Sequence, residues 1–294
     1  MKHPKVSIIT VNYKQRAVTC ELLDSIAALS YPNLETIIVD NAQESDDSEI
    51  YKMHLPKVKV INVRENIGFA SGNNVGIKAS DGDFIFLLNN DTEVTEGIIK
   101  KMLESFSKSE RIGAVSPILK YYDTPDQIQF AGFTEVNPLT GRNELIQEQP
   151  EKLLADTSYF HGAAVMIPRH VITKCGLMPE EYFLYYEELD WSRIIRNKNY
   201  EIKVRTDIEV LHKESITTGK NSPLKVYYQN RNRIHFMRKS NRKQWIFFLA
   251  FFVLISTPKN LLKHLIKRDL VHLRAFSKAI IHGLIVPRVG IQAF

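Results

Sequence analysis

Residues 84–94 read "FIFLLNNDTEV", five apolar residues of strand type running directly into two amides and a carboxylate. The run is too short for a helix and rich in Phe, Ile and Leu, so it predicts a buried strand. Its polar end predicts a ligand edge, because open α/β sheets bind ligands at the carboxyl ends of their strands. Three earlier stretches repeat the form. "VSIITV" (6–11) is followed by Asn12 and Tyr13, "ETIIVD" (35–40) ends on Asp40, and "VKVINV" (58–63) leads into "RENIGFASGNN". Between the first two, Val18, Leu22, Leu23, Ile26 and Leu29 recur at helical spacing. Further helices are expected through "GFASGNNVGIKAS" and through "TEGIIKKMLESFSK", the latter capped by Thr95. This alternation over the first 120 residues predicts an α/β sheet with crossover helices.

Beyond it, "IGAVSPIL" (112–119) and "AAVMIP" (163–168) read as strands, "EELDWSRIIRNKNY" as a helix and "EIKVRTDIEVLH" as one or two strands. A polar stretch from 121 to 158 is long enough to be functional or to carry short strands of its own. The tail holds eleven consecutive apolar residues, "WIFFLAFFVLI" (245–255), ended by Ser256, Thr257 and Pro258. That run is too short to cross a bilayer alone, since a span takes about 20 residues. The following "KNLLKHLIKRDLVHLRAFSK" alternates Leu, Ile and Val with Lys and Arg, as a basic amphipathic helix at a membrane interface does. The same run could instead pack on the catalytic domain or on a second subunit as a homodimer.

Charge divides the chain. Residues 225–294 carry 14 Lys and Arg against one acid, Asp269, so the net +6 of the whole chain leaves the first 224 residues at −7. We therefore expect a catalytic domain over 1–224 and a basic helical region over 225–294, with an anionic partner for the latter. Cys20 and Cys175 are the only cysteines, which excludes a disulfide framework and a zinc site and suits a reducing cytoplasm. The start, "MKHPKVSIITVNY", has no small-residue cleavage site, so no signal peptide is expected.

The strand-end clusters are where chemistry would sit. Thr10, Asn12 and Tyr13, Asp40, and Asn66 with Gly68, Gly72 and Asn73 would converge on one crevice. The glycines permit close backbone approach, yet "NIGFASGNN" is neither a phosphate loop of the Walker type nor a dinucleotide fingerprint. Asn89, Asn90 and Asp91 give the oxygen-rich grip that a divalent cation shared with phosphates requires, although Asp91 and Thr92 could equally cap a helix. His212 ends a later strand, and its value as a metal ligand rests on Asp91.

Seven motifs in order, "VSIITVNYK", "IIVDN", "ENIGFASGNN", "FLLNNDT", "FHGAAVMIPR", "FLYYEELDWSRIIRNKNY" and "LHKES", resemble the inverting family-2 glycosyltransferases with a GT-A fold, particularly rhamnosyltransferase-like and galactofuranosyltransferase-like bacterial members. The resemblance covers roughly residues 5–215. It implies a Rossmann-like mixed sheet flanked by helices, a dTDP- or UDP-sugar donor and Mg²⁺ or Mn²⁺. It implies that Thr10, Asn12 and Asp40 hold base and ribose, and that Asn66 and the 68–73 segment line the nucleotide-sugar site. Asp91 keeps the carboxylate of the D-x-D motif, Asn89 replaces its first acid, and His212 completes the metal or diphosphate site. Glu188 takes the place of the catalytic base, a Glu for the commoner Asp. Glu187 and Asp190 would orient it or bind hydroxyls, and His161, Gly162 and Ala163 would border donor and acceptor. Trp191 offers a flat face for a sugar ring or, alternatively, packs in the core.

The expected activity is sugar transfer to a hydroxyl of a glycan acceptor, lipid-linked, by an enzyme peripheral on the cytoplasmic face of the cell membrane. Two other classes compete. A nucleotidyltransferase would need a basic phosphate-gripping loop where "TVNYKQRA" offers only Lys14 and Arg16. A nucleic-acid-binding protein would use "RNRIHFMRKSNRK" and leave the acidic clusters without a purpose.

Overall fold

The computed structural model describes residues 3–41, 46–213 and 222–285. Its first half runs β1 (Val6–Asn12), α1 (Arg16–Ala27), β2 (Leu34–Asn41), α2 (Ser48–His54), β3 (Lys59–Val63), α3 (Phe69–Ala79) and β4 (Phe84–Leu88), the expected order with α2 as an unexpected addition. These four strands lie parallel in the spatial order β3-β2-β1-β4. Asn12 stands on the same rung as Asp40, and Asp40 on the same rung as Asn62, so the polar clusters share one edge.

The second half widens the sheet with strands of mixed direction. It comprises β5 (Thr92–Glu93), α4 (Ile98–Phe106), β6 (Ile112–Tyr121), β7 (Ile128–Phe130), β8 (Leu154–Asp156), β9 (Ala164–Pro168), α5 (Arg169–Cys175), α6 (Glu187–Asn197) and β10 (Glu201–His212). The order continues from β4 through β9, β6 and β10 to β5, with β7 paired to β6 and β8 to β10. The polar stretch 121–158 thus carries two short strands. α4 starts later than its sequence suggests: Gly97 at φ 83° turns the chain into the helix, and Thr95 contributes only its carbonyl, to Ile98 N–H. Thr95 is therefore not the cap.

Strand alternation sends side chains to two cores. Val6, Ile8, Phe86 and Leu88 pack with α1 and α4 on one face, while Ile9, Ile85 and Leu87 meet α3, α5 and α6 on the other. α3 approaches very closely. A Cβ at Gly72 would lie 2.9 Å from Val11 Cγ1, and one at Gly76 would fall inside the Ile9 side chain. Gly72 therefore serves helix–sheet packing and does not reach a ligand, a correction to its expected place in the donor site.

The tail consists of α7 (Pro223–Arg238), α8 (Arg242–Phe251), α9 (Thr257–Ile266) and α10 (Leu270–Ile285). The division expected at 224/225 falls within α7. α8 and α9 are joined by a π-helical turn over Phe252–Ser256, so 242–266 form one 25-residue helix. Pro258 lies within this continuous helix, and the widened turn before it accommodates the ring and the missing N–H. The apolar run is thus not ended by Pro258, and by length and composition the helix is long enough to cross a membrane. Its Phe248 and Phe252, however, are buried against the body of the protein beside Met237 and Ile234.

Gly76→Ala overpacks the α3–β1 contact. It is expected to lower unfolding stability by about 1–3 kcal/mol, read from urea midpoints with helix content unchanged.

Candidate active site

A cleft of about 490 Å³ opens at the carboxyl ends of β1, β2 and β4. Tyr13, Asn41, Asn66, Gly68, Asn89, Asn90, Asp91, His161, Glu188 and His212 all reach it. Of these, Asn41 was missed by sequence reasoning, although it directly follows Asp40.

The acid and imidazole meet through a strand pairing with no sequence signature. The end of β10 pairs antiparallel with the two-residue β5, setting His212 opposite Thr92 and beside Asp91, and Lys213 N–H donates to the Asp91 carbonyl at 2.9 Å. His212 Nδ1 lies 2.8 Å from Gln129 Oε1 on β7. An amide oxygen can only accept, so Nδ1 carries a proton and Nε2 is the ring nitrogen turned toward Asp91. That nitrogen lies 3.2 Å from Asp91 Oδ1, close but without hydrogen-bond geometry, so the buried Oδ1 remains unpartnered. Asn89 Oδ1 is buried and unpartnered too. Two orphaned oxygens and an imidazole nitrogen on one cleft fit a cation such as Mg²⁺ or Mn²⁺. Among the described residues no third His, Cys, Asp or Glu joins them. His161 accepts Ala163 N–H on Nδ1 and stacks on Phe133, and burial followed by His212 holds its pKa down to about 3, so it stays neutral.

Thr10, Asn12 and Asp40 lie behind the cleft wall. Asp40 takes Asn12 Nδ2 at 2.8 Å, and Asn12 Oδ1 accepts from Gln15 N–H and Thr19 Oγ1. Asn90 Nδ2 donates to Thr19 Oγ1 at 3.1 Å, tying the β4 end to this network. Burial raises the Asp40 pKa. Asn73 spends its amide on Phe69 O at 3.0 Å within α3 and does not reach the cleft. Asn66 and Gly68 do. Asn66 Oδ1 accepts Gly68 N–H and Asn41 Nδ2, and Gly68, at φ 86°, lies so near Phe183 that a Cβ would come 2.6 Å from its carbonyl oxygen.

Glu188 rides on the first turn of α6, entered through three left-handed aromatic residues: Phe183 (φ 66°), Tyr185 (φ 68°) and Tyr186 (φ 76°). Each such residue costs about 1–3 kcal/mol. The Glu188 carboxyl is pushed up to about 7 by burial, against two backbone N–H groups that lower it. Glu187 lies deeper, with Oε2 unpartnered, and is raised well above the ordinary range by burial and then by Glu188.

Two expected sugar contacts are corrected. Trp191 is fully buried, donates Nε1–H to Gly176 O at 3.0 Å and meets Phe160 edge to face, so neither ring face is open to a sugar. Asp190, 1% exposed, is consumed by Tyr182 Oη at 3.0 Å and by Arg193 and Lys239, each at 2.5 Å. A Cβ at Gly162 would lie 3.6 Å from the Phe69 ring and 3.9 Å from Glu188 Cβ, while Ala163 is buried and its carbonyl accepts Asn89 N–H. Glu214 and Ser215 of "LHKES", and Ala42–Ser45 after β2, lie outside the described residues.

Much of the basic strip of the tail is spent within the fold, while Arg242 and Lys243 stay exposed. Arg231 donates to the Glu181 and Tyr182 carbonyls, Arg233 is 3% exposed and Arg238 donates to Gly283 and Leu284. α7 instead contributes Leu224, Lys225 and Gln229 to the cleft, residues that carry no recognisable motif.

Residues 7–175 match the family model described as "Glycosyl transferase family 2". The chain belongs to glycosyl transferase family 2. It is 26% identical over 241 residues to the low-salt glycan biosynthesis hexosyltransferase Agl10 of Haloferax volcanii, covering 78% of this chain and 74% of that protein. Over 237 residues it is 21% identical to an N-acetylglucosaminyl-diphospho-decaprenol L-rhamnosyltransferase of Mycobacterium tuberculosis, covering 72% and 77%. Its fold matches the crystal structure of GalNAc-T7 with UDP, GalNAc and Mn²⁺ at a TM-score of 0.69 and 15% identity, over 84% of this chain and 50% of that one. The expected GT-A fold and glycosyltransferase activity are thereby established.

Glu188 is protonated more readily in the folded enzyme, about 7, than at its ordinary 4.5. Its raised pKa favours folding fully below 4.5, and that contribution is lost as pH rises through 7. Glu188→Gln is therefore expected to stabilise the protein by about 1–3 kcal/mol at pH 8 and hardly at pH 4.5, measured by thermal melts at the two pH values.

Proposed function

We propose that this glycosyltransferase moves a sugar, with inversion, from a dTDP- or UDP-sugar to a hydroxyl of a lipid-linked glycan acceptor. The observation that carries the reading is Glu188, a carboxyl in the cleft with a pKa near neutrality, sharing that cleft with Asp91 and His212. The acceptor oxygen attacks the anomeric carbon, its proton passes to the Glu188 carboxylate, and the bond to the nucleoside diphosphate breaks. Asn89, Asp91 and His212 would hold a divalent cation, which when bound neutralises charge on the leaving diphosphate. Lys225 brings the only Lys or Arg side chain among the described cleft residues to the same place. Tyr13, Asn41 and Asn66 line the donor side. The rhamnosyltransferase of M. tuberculosis is named for a diphospho-decaprenol substrate, which supports a lipid-linked acceptor here.

Two predictions test the chemistry and the setting. With a panel of nucleotide sugars and Mn²⁺, transfer is expected to rise about tenfold per pH unit up to pH 7 and then level off, as a base of that pKa requires. Glu188→Gln is expected to lose about 10²–10⁴-fold in kcat with nucleotide affinity retained. Asp91→Ala should raise the Mn²⁺ concentration needed, and full activity of Glu188→Gln would remove it as the base.

The tail supports docking on the cytoplasmic face of an anionic bilayer. Leu254, Ile255, Leu262, Leu265 and Ile266 are exposed, from 54% to 73%, in a segment that also bears Lys259, Lys263, Lys267 and Arg268. Since Phe248 and Phe252 fasten the helix to the protein, an interfacial position suits it better than a crossing one. The enzyme is expected to sediment with phosphatidylglycerol vesicles at low salt and not with neutral ones. Leu254→Glu combined with Ile266→Glu should abolish that sedimentation, and unchanged sedimentation would overturn the docking.

A further inference from the structure

We propose that Asn232, on α7, is a positioning residue for Glu188: its buried amide holds the 182–186 loop in the strained form that delivers Glu188 to the cleft. This rests on Glu188 being the base, and it assigns a task at the active site to a residue of the basic tail.

Left-handed residues at 183, 185 and 186 turn the backbone back on itself. Three carbonyls of the loop then converge on one point. Asn232 Nδ2 lies 2.9 Å from Tyr182 O, 2.7 Å from Leu184 O and 2.8 Å from Tyr185 O. An amide has two N–H groups, so the three carbonyls share two protons, and no water replaces them because Asn232 is 0% exposed. Its Oδ1 has no partner. A polar side chain is thus kept in the interior for its donors alone. Arg231 NH2 adds a bond to Glu181 O at 2.9 Å, and Tyr228 stacks on Phe183 at 5.1 Å, so α7 grips the loop along its length.

The loop is also fixed from the donor side. Phe69 N–H donates to Phe183 O at 2.7 Å, at the start of α3 beside Gly68. These anchors remain when the amide of Asn232 is removed. What is lost is the amide donor to the Leu184 and Tyr185 carbonyls, while Tyr182 O keeps Arg231 Nη1 at 3.3 Å, and the loop can then relax toward ordinary φ. Because Tyr186 is the residue that enters α6, such relaxation moves the first turn and admits more water to Glu188, which is partly exposed on the cleft already. A displacement of this kind acts on kcat more than on donor binding, since misplacing a reacting group by about 1 Å can cost about 10²-fold.

The test follows the Glu188 carboxyl directly, by ¹³C NMR of protein labelled at glutamate side chains, with Glu188→Gln giving the assignment. The other titratable groups near it are Tyr186 and Glu187 at the start of its own helix and Tyr13, Asp91, Tyr121, His161, Tyr185, His212 and Lys225 in the cleft. Asn232→Leu, of similar shape and without donors, is expected to move the midpoint from about 7 toward the ordinary 4.5. Its kcat should fall about 10–100-fold with donor KM changed less than about 3-fold. The midpoint decides. If it keeps the parent value in folded Asn232→Leu, the positioning role is overturned while the base assignment stands. If it moves but the parent turns over no nucleotide sugar, the functional reading fails and the positioning role stands. Should Asn232→Leu not fold, Asn232→Ser, which keeps one donor, is expected to give a partial shift, and a parent-like midpoint there overturns the proposal equally.

Discussion

β1 lies between β2 and β4, and that placement is the constraint on which the rest depends. The chain leaves β1 toward one side to build β2 and β3, then returns to lay β4 on the other. Connections that depart in opposite directions leave a crevice between them at the carboxyl edge. There Tyr13, Asn41, Asn89 and Asp91, at the ends of β1, β2 and β4, reach the cleft, while Asn12 and Asp40 lie buried behind them. The mixed second half of the sheet adds the other wall: β9 sets the Ala163 carbonyl against Asn89 N–H, and β10 returns His212 to Asp91.

Buried charge in the same region is of two kinds. Asp190 is surrounded by Arg193, Lys239 and the Tyr182 hydroxyl, so its charge is spent on joining α6 to α7, and removing one partner would leave a costly remainder. Glu187 and Glu188, three and two residues earlier, have no cationic partner among the groups that shift them. One short segment therefore separates a carboxylate that holds the structure from carboxyls whose protonation is left free to change.

Much of this was legible in the sequence wherever the information is local. The four parallel strands and helices α1 and α3 follow from apolar runs and their spacing, α2 was not read, and the polar residues at strand ends located the crevice. Side-chain direction was less accessible. Period-2 alternation puts Val11 and Tyr13 on the cleft and turns Asn12 behind it, a phase that cannot be fixed until the strand's neighbours are known. Gly72, Asn73, Asp190 and Trp191 look like ligand contacts by residue type and prove to be packing and pairing residues. The role of α7 was invisible for another reason. Its basic residues suggested an external partner, whereas Arg231 and Arg238 bind backbone carbonyls within the fold, contacts that depend on chain segments far apart in sequence.

The close approach of Gly68 to Phe183 has a meaning for how such a sequence can drift. Position 68 is held to glycine by a backbone oxygen far along the chain, in addition to its own φ of 86°. A side chain there becomes tolerable only if the 183 backbone retreats first, and that retreat would break the Phe69–Phe183 bond. The two segments are thus locked as an evolutionary pair: neither can explore alternatives alone, and lineages that abandon the glycine should be found to have rebuilt the loop as well.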